Sequence, residues 1–271
     1  MRRRHAHAAI RYALAVGLLA AVGPTSCSAP RPEARSPKPD APKIAAAANL
    51  NFVLTQIADR FASDRGKRVE VVFGASGTLM RQIQDGAPFE MFLAADEEFP
   101  ARLAAAGLTR DDGAVYAVGR LALFAPSGSP LTVDDRLDGL SRLVKSGTAG
   151  RFAIANPDVA PYGKAAEAVL RKRGLWDAIR PRLVLGDTIA QAAQFASSGD
   201  TVGGLVAFSV VLAPGFADRG THAVIPDADY PPLRQRMVLL KNASATAADF
   251  YRYVLSDAAR TEFEKYGYGI P

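Results

Sequence analysis

The chain has 271 residues, 49% of them apolar, and a formal net charge of +6. That charge sits at the front: residues 1–42 hold seven Arg or Lys against two Asp or Glu, and the rest carries 26 basic against 25 acidic side chains, a net of +1. A near-neutral body argues against a basic surface for nucleic acid, the single cysteine excludes an internal disulfide, and one histidine in the body makes no zinc site of the usual kind.

Residues 1–27 read as a secretory signal. Arg2, Arg3, Arg4 and Arg11 give a basic start, residues 12–22 an apolar run, and Pro24-Thr25-Ser26-Cys27-Ser28 a small-residue stretch. The run falls short of the roughly 20 apolar residues of a spanning helix. Cys27 stands where a bacterial lipoprotein carries its lipid, so a lipid anchor there is one expectation. Ordinary cleavage that discards Cys27 is the other. Residues 28–42 contain Pro30, Pro32, Pro37, Pro39 and Pro42 and read as an extended tether.

From residue 43 onward, apolar runs alternate with helical patterns. A strand at 43–48 precedes a helix in which Phe52, Val53, Leu54, Ile57, Ala58 and Phe61 recur at helical spacing, stopped by Gly66. Strand 69–73, helix 78–84, strand 92–95 and helix 97–106 follow. Residues 114–125 read as one long strand, a candidate crossover into a second lobe. The rhythm resumes with strand 152–155, helix 164–173, strand 182–185, helix 189–197 and strand 203–207. A strand at 236–241 would return the chain, and a final helix capped by Thr246 would run to Tyr266. This alternation predicts an α/β fold of two doubly wound lobes with parallel sheets. Residues 43–120 plus 236–271 would form one lobe, and 121–235 the other.

Four polar turns join a strand to a helix: Ala48-Asn49, Ala75-Ser76-Gly77-Thr78, Pro161-Tyr162-Gly163 and Asp187-Thr188-Ile189. Free N–H groups and the helix dipole make such a helix start attractive to an anion. In open parallel sheets ligands also collect at the carboxyl ends of strands. Each turn alone reads more readily as a plain helix cap than as a ligand site; the anion reading rests on four together, two per lobe. Their donors are neutral, with Lys164 just beyond, which suits a fully ionised dianion. Hydrogen phosphate would also want an acceptor, which Asp187 could supply.

A hydrolase is the competing reading. Gly74-Ala75-Ser76-Gly77 partly resembles a nucleophile elbow, and the order Ser76, Asp187, His222 suits that class. Thr78 stands where the elbow wants glycine. No phosphate-cradling loop with its Lys and Ser/Thr is present.

The same turns, with their neighbours, resemble the periplasmic molybdate-binding proteins of ATP-driven transporters. The resemblance spans residues 43–270. It is carried by Ala46-Ala47-Ala48-Asn49-Leu50, Phe73-Gly74-Ala75-Ser76-Gly77-Thr78-Leu79, Phe92-Leu93-Ala94-Ala95-Asp96, Asn156-Pro157 with Pro161-Tyr162-Gly163, and Tyr266-Gly267-Tyr268. It implies the type II periplasmic-binding-protein fold, with an oxyanion enclosed between lobes by Asn49, Ser76, Tyr162 and Ile189 and a backbone contact from Ala48. Molybdate or tungstate would be the ligand, with no direct metal ligands, no cofactor and no catalysis. Sulfate and phosphate stay open as related ligands. An ABC transporter permease would be the partner, and the protein an exported monomer. Asn49 and Tyr162 match one branch of the family, in which Ala207 supplies no hydroxyl. Glu90 replaces the family's Asp.

Overall fold

The computed structural model describes residues 41–271. The leader and nearly all of the tether lie outside the described residues, and with them the expectations for Cys27.

Two five-stranded sheets organise the chain. In the first stand β1 (Lys43–Ala47), β2 (Glu70–Gly74), β3 (Phe89–Leu93) and β4 (Ala114–Gly119), interleaved with α1 (Asn51–Arg65), α2 (Ser76–Gln84) and α3 (Glu98–Ala105). The second comprises β5 (Leu121–Pro126), β6 (Phe152–Ala155), β7 (Leu183–Gly186), β8 (Gly203–Ala207) and β9 (Gly220–Val224). Its helices are α4 (Asp138–Lys145), α5 (Pro161–Lys172), α6 (Trp176–Ile179), α7 (Ile189–Ser197) and α8 (Phe208–Val211). The chain then returns through β10 (Leu233–Leu239) and closes with α9 (Ala245–Val254) and α10 (Asp257–Lys265).

The strand orders are β2-β1-β3-β10-β4 and β7-β6-β8-β5-β9. Alternation along β1 shows why helices cover both faces of the first sheet. Ile44 and Ala46 share a core with Val53, Leu54 and Ile57 of α1 and Phe263 of α10. Ala45 points the other way, into a cluster with Leu79, Met80 and Ile83 of α2 and Phe99 and Leu103 of α3.

Five expectations need correction. The sheets are mixed, not parallel: β10 runs antiparallel to β3 and β4, and β5 antiparallel to β8 and β9. The single strand 114–125 is two strands in different sheets, divided at Arg120. The return strand starts at Leu233, which already pairs with Gly119. The final helix is two, because Ser256 takes extended backbone and its hydroxyl accepts Ala259 N–H as the cap of α10. Thr246 is not the cap of α9; Ser244 fills that position, accepting from Ala247 N–H. Glu90 holds that entry from below, its carboxylate accepting Ser244 N–H at 2.6 Å.

Candidate functional site

β1, β2 and β7 each end at a turn that opens a helix, and α5 opens a few residues after β6. Asn49 lies in a short 3-10 turn (Ala48–Leu50) between β1 and α1, Ser76 starts α2, Tyr162 is the second residue of α5, and Ile189 starts α7. All four border one small cavity, together with Ala48, Ala75, Ala95, Ala160 and Pro161. The backbone N–H groups of Asn49, Ser76, Tyr162 and Ile189 find no acceptor among the described residues. They are the unpaired donors that helix starts leave, here gathered from two sheets around one space.

The side chains add to this. Ser76 is 1% exposed, and its Oγ accepts Ala95 N–H at 3.0 Å. That contact occupies a lone pair and leaves the hydroxyl proton to donate. Tyr162 is buried, and its hydroxyl accepts Gln235 Nε2–H at 3.2 Å. Burial pushes the Tyr162 and Tyr116 phenols well above their ordinary value and raises Tyr268 as well. All three keep their protons across the working pH range.

The cavity wall carries no charged side chain. Lys164 turns away: its Nζ donates to Glu98 Oε2 at 2.9 Å and sits 5.3 Å from the Phe99 ring centroid. That contact joins α5 on the second sheet to α3 on the first. A second link lies beside it, where Gly77 N–H donates to Val159 C=O at 2.9 Å. Asp96, one residue beyond Ala95, has its pKa raised to about 6, chiefly by burial and against the Phe99 N–H bond that lowers it.

The Ser76, Asp187 and His222 grouping does not form. Ser76 Oγ is bonded to Ala95, not to a histidine. His222 is exposed on the edge strand β9, with its ring 5.7 Å from that of Phe208. Asp187 is exposed and absent from the cavity wall, so it supplies no acceptor there. Thr188 is an ordinary N-cap, its Oγ1 accepting Gln191 N–H at 3.1 Å.

A layer behind the cavity escaped the sequence reading. Asn49 Nδ2 donates to Gln235 Oε1 at 3.1 Å and to Tyr268 OH at 2.8 Å. Tyr116 OH lies 3.0 Å from Gln235 Oε1, and Ser209 Oγ 3.0 Å from Tyr268 OH. Gln235 is fully buried on β10 between the inward Leu233 and Met237. A period-two pattern through 233–237 marks it as a buried polar residue, but a strand read from 236 begins three residues past the true start.

Two α/β lobes, joined by strands that leave one sheet for the other and holding a ring of neutral donors between them, define a solute-binding protein of the periplasmic type. Residues 42–269 match the family model of bacterial extracellular solute-binding proteins, and the chain belongs to that family. Its curated relatives include the molybdate-binding protein ModA of Azotobacter vinelandii, 38% identical over 84% of this chain and 89% of the relative. ModA of Rhodobacter capsulatus is 36% identical over 83% and 86%. Among solved structures, the Azotobacter vinelandii periplasmic molybdate-binding protein superposes with a TM-score of 0.77 and 30% identity, over 85% of this chain and 99% of that one.

Proposed function

We propose that this chain is an exported binding protein that captures molybdate or tungstate between its lobes and delivers it to an ABC-type permease. The carrying observation is the convergence of four unpaired backbone N–H groups, at Asn49, Ser76, Tyr162 and Ile189, on one cavity without a charged wall. A desolvated dianion can be held by such donors alone, and charge-assisted hydrogen bonds are the strong ones. The relatives' names supply the choice of molybdate. A fixed ring of donors fits one oxyanion radius best, which favours molybdate and tungstate over the smaller sulfate.

Binding is reversible and involves no catalysis or cofactor. The anion touches both lobes only when they are together, so it favours the closed arrangement by that differential contact. A permease that recognises the closed form then accepts the ion. The protein acts as a monomer, tethered through residues 28–42 and anchored by lipid at Cys27. Mass measurement of the mature N-terminus tests the anchor.

Thermal melts test the ligand. At an anion concentration of about 1,000 Kd, binding stabilises the fold by about 4 kcal/mol. For a body of this size that raises Tm by roughly 8–16 °C. Molybdate and tungstate are expected to do this, and sulfate and phosphate to move Tm by less than about 2 °C at the same concentration. No shift with any tetrahedral oxyanion overturns the proposal.

A further inference from the structure

The polar layer behind the cavity has one hydrogen-bond ambiguity with a functional consequence. Asn49 is 2% exposed, and one end of its amide meets Gln235 and Tyr268. The other end, Oδ1, is buried with no partner, on a residue that borders the cavity. Tyr162 has a matching surplus: its oxygen accepts from Gln235, and its proton meets no acceptor among the described residues.

Turning both amides by 180° keeps every heavy-atom contact and exchanges donor for acceptor at each. Gln235 then accepts Tyr162 O–H and donates to Asn49 Oδ1 and to Tyr116, whose own proton goes to Ala94 C=O at 2.8 Å. Tyr268 O–H leaves Asn49 C=O, which it meets at 2.9 Å, for Asn49 Oδ1, and Ser209 O–H stays on that carbonyl at 3.2 Å. Every member is satisfied except Asn49 Nδ2, which is left with two free protons beside the cavity. The first arrangement offers a lone pair, suited to a protonated oxyanion. The second offers donors, suited to a fully ionised one. A buried polar group without a partner is costly, so a dianion selects the second arrangement and completes it.

We propose that Gln235 is a positioning residue for anion capture, the hinge-side amide that sets the sense of this network and so presents Asn49 Nδ2 as a donor. Gly119 is built for it. A Cβ there would run into both Tyr162 OH and Gln235 Nε2, so only glycine lets the two meet at the point where the chain changes sheets. The inference rests on the oxyanion reading above and assigns it a selectivity device: fully ionised anions over protonated ones.

The test is nuclear magnetic resonance of the side-chain and backbone amides, with molybdate titrated into the wild-type protein and into Gln235→Met. In the wild type the Asn49 side-chain NH2 pair should move strongly and become protected from exchange, alongside the Ser76 and Ile189 backbone amides. In Gln235→Met the Asn49 pair should lose that bound-state position while Ser76 and Ile189 still respond, with Kd weakened roughly tenfold. Should that variant not fold, the wild-type titration still decides the sense of the Asn49 amide. Response of Ser76 and Ile189 without Asn49 overturns the inference and leaves the oxyanion reading standing. An unchanged Asn49 shift and Kd in Gln235→Met overturns the role of Gln235. If no resonance responds, the oxyanion reading falls and this inference with it.

Discussion

Gly77→Ala probes lobe closure directly. Gly77 sits in the first turn of α2, and its N–H bonds Val159 of the opposite lobe. A Cβ at this position would lie 3.0 Å from Val159 O and 3.2 Å from Val159 Cα, both backbone atoms, and 2.9 Å from Phe99 Cζ. Backbone cannot swing aside as a side-chain tip can, so the lobes must part by a few tenths of an ångström. Overpacking of this kind costs about 1–3 kcal/mol. Losing the Gly77–Val159 bond adds about 0.5–1.5 kcal/mol. The Val159 clash exists only with the lobes together, so its cost falls on the closed, anion-holding state. Molybdate affinity should therefore weaken roughly 10- to 1,000-fold. The Phe99 contact lies within one lobe and burdens both states, lowering Tm without anion by a few degrees. Calorimetry and melts of the same variant separate the two effects. An unchanged Kd beside a lowered Tm would refute the reasoning, because the contact would then serve the fold and not closure.

Two further substitutions read other parts of the site. Ser76→Ala leaves the Ala95 N–H buried without an acceptor and removes a hydroxyl donor to the anion. It should cost about 1–3 kcal/mol in urea unfolding, and also weaken molybdate binding at least roughly tenfold by calorimetry. Asp96 gives a pH signature. Burial raises its pKa from 3.8 to about 6, so between these values the folded protein holds the proton more tightly than the unfolded chain. The stability it contributes is fully present below pH 3.8 and is lost as pH rises through about 6, by about 3 kcal/mol. Asp96→Asn retains an oxygen for Phe99 N–H and abolishes that loss. Melts should show the variant more stable than wild type at pH 7.5 and equal to it near pH 3.5.

The parts of the fold legible in the sequence were those encoded locally. Helix α7 and strands β6 and β8 start and stop where residues 189–197, 152–155 and 203–207 predict, because each apolar pattern is bounded by turn residues. The turns at Asn49, Ser76, Tyr162 and Ile189 were visible for the same reason: a strand ends, a polar turn follows and a helix starts. That these turns border one cavity follows from two sheets meeting, which no local pattern states. Strand direction was misread because β10 and β5 find their partners far along the chain. Strand β9 was overlooked because Gly220-Thr221-His222-Ala223-Val224 at a half-exposed edge has no apolar run. Helix α4 was overlooked too, since its start depends on Asp134 accepting N–H groups from Arg136, Asp138 and Gly139. Gln235 was hidden by a strand boundary, although its neighbours Leu233 and Met237 carry the alternation that marks it.

A ring of neutral donors between two lobes is held to enclose a fully ionised tetrahedral oxyanion of molybdate's size, larger than sulfate. Calorimetric titration of the mature protein with molybdate, repeated in the presence of excess sulfate and phosphate, tests it most directly. One tight site per chain is expected, with an affinity unchanged by the competing anions and weakened at least roughly tenfold in Ser76→Ala. Absence of binding, or displacement of molybdate by sulfate or phosphate at similar concentration, would contradict it.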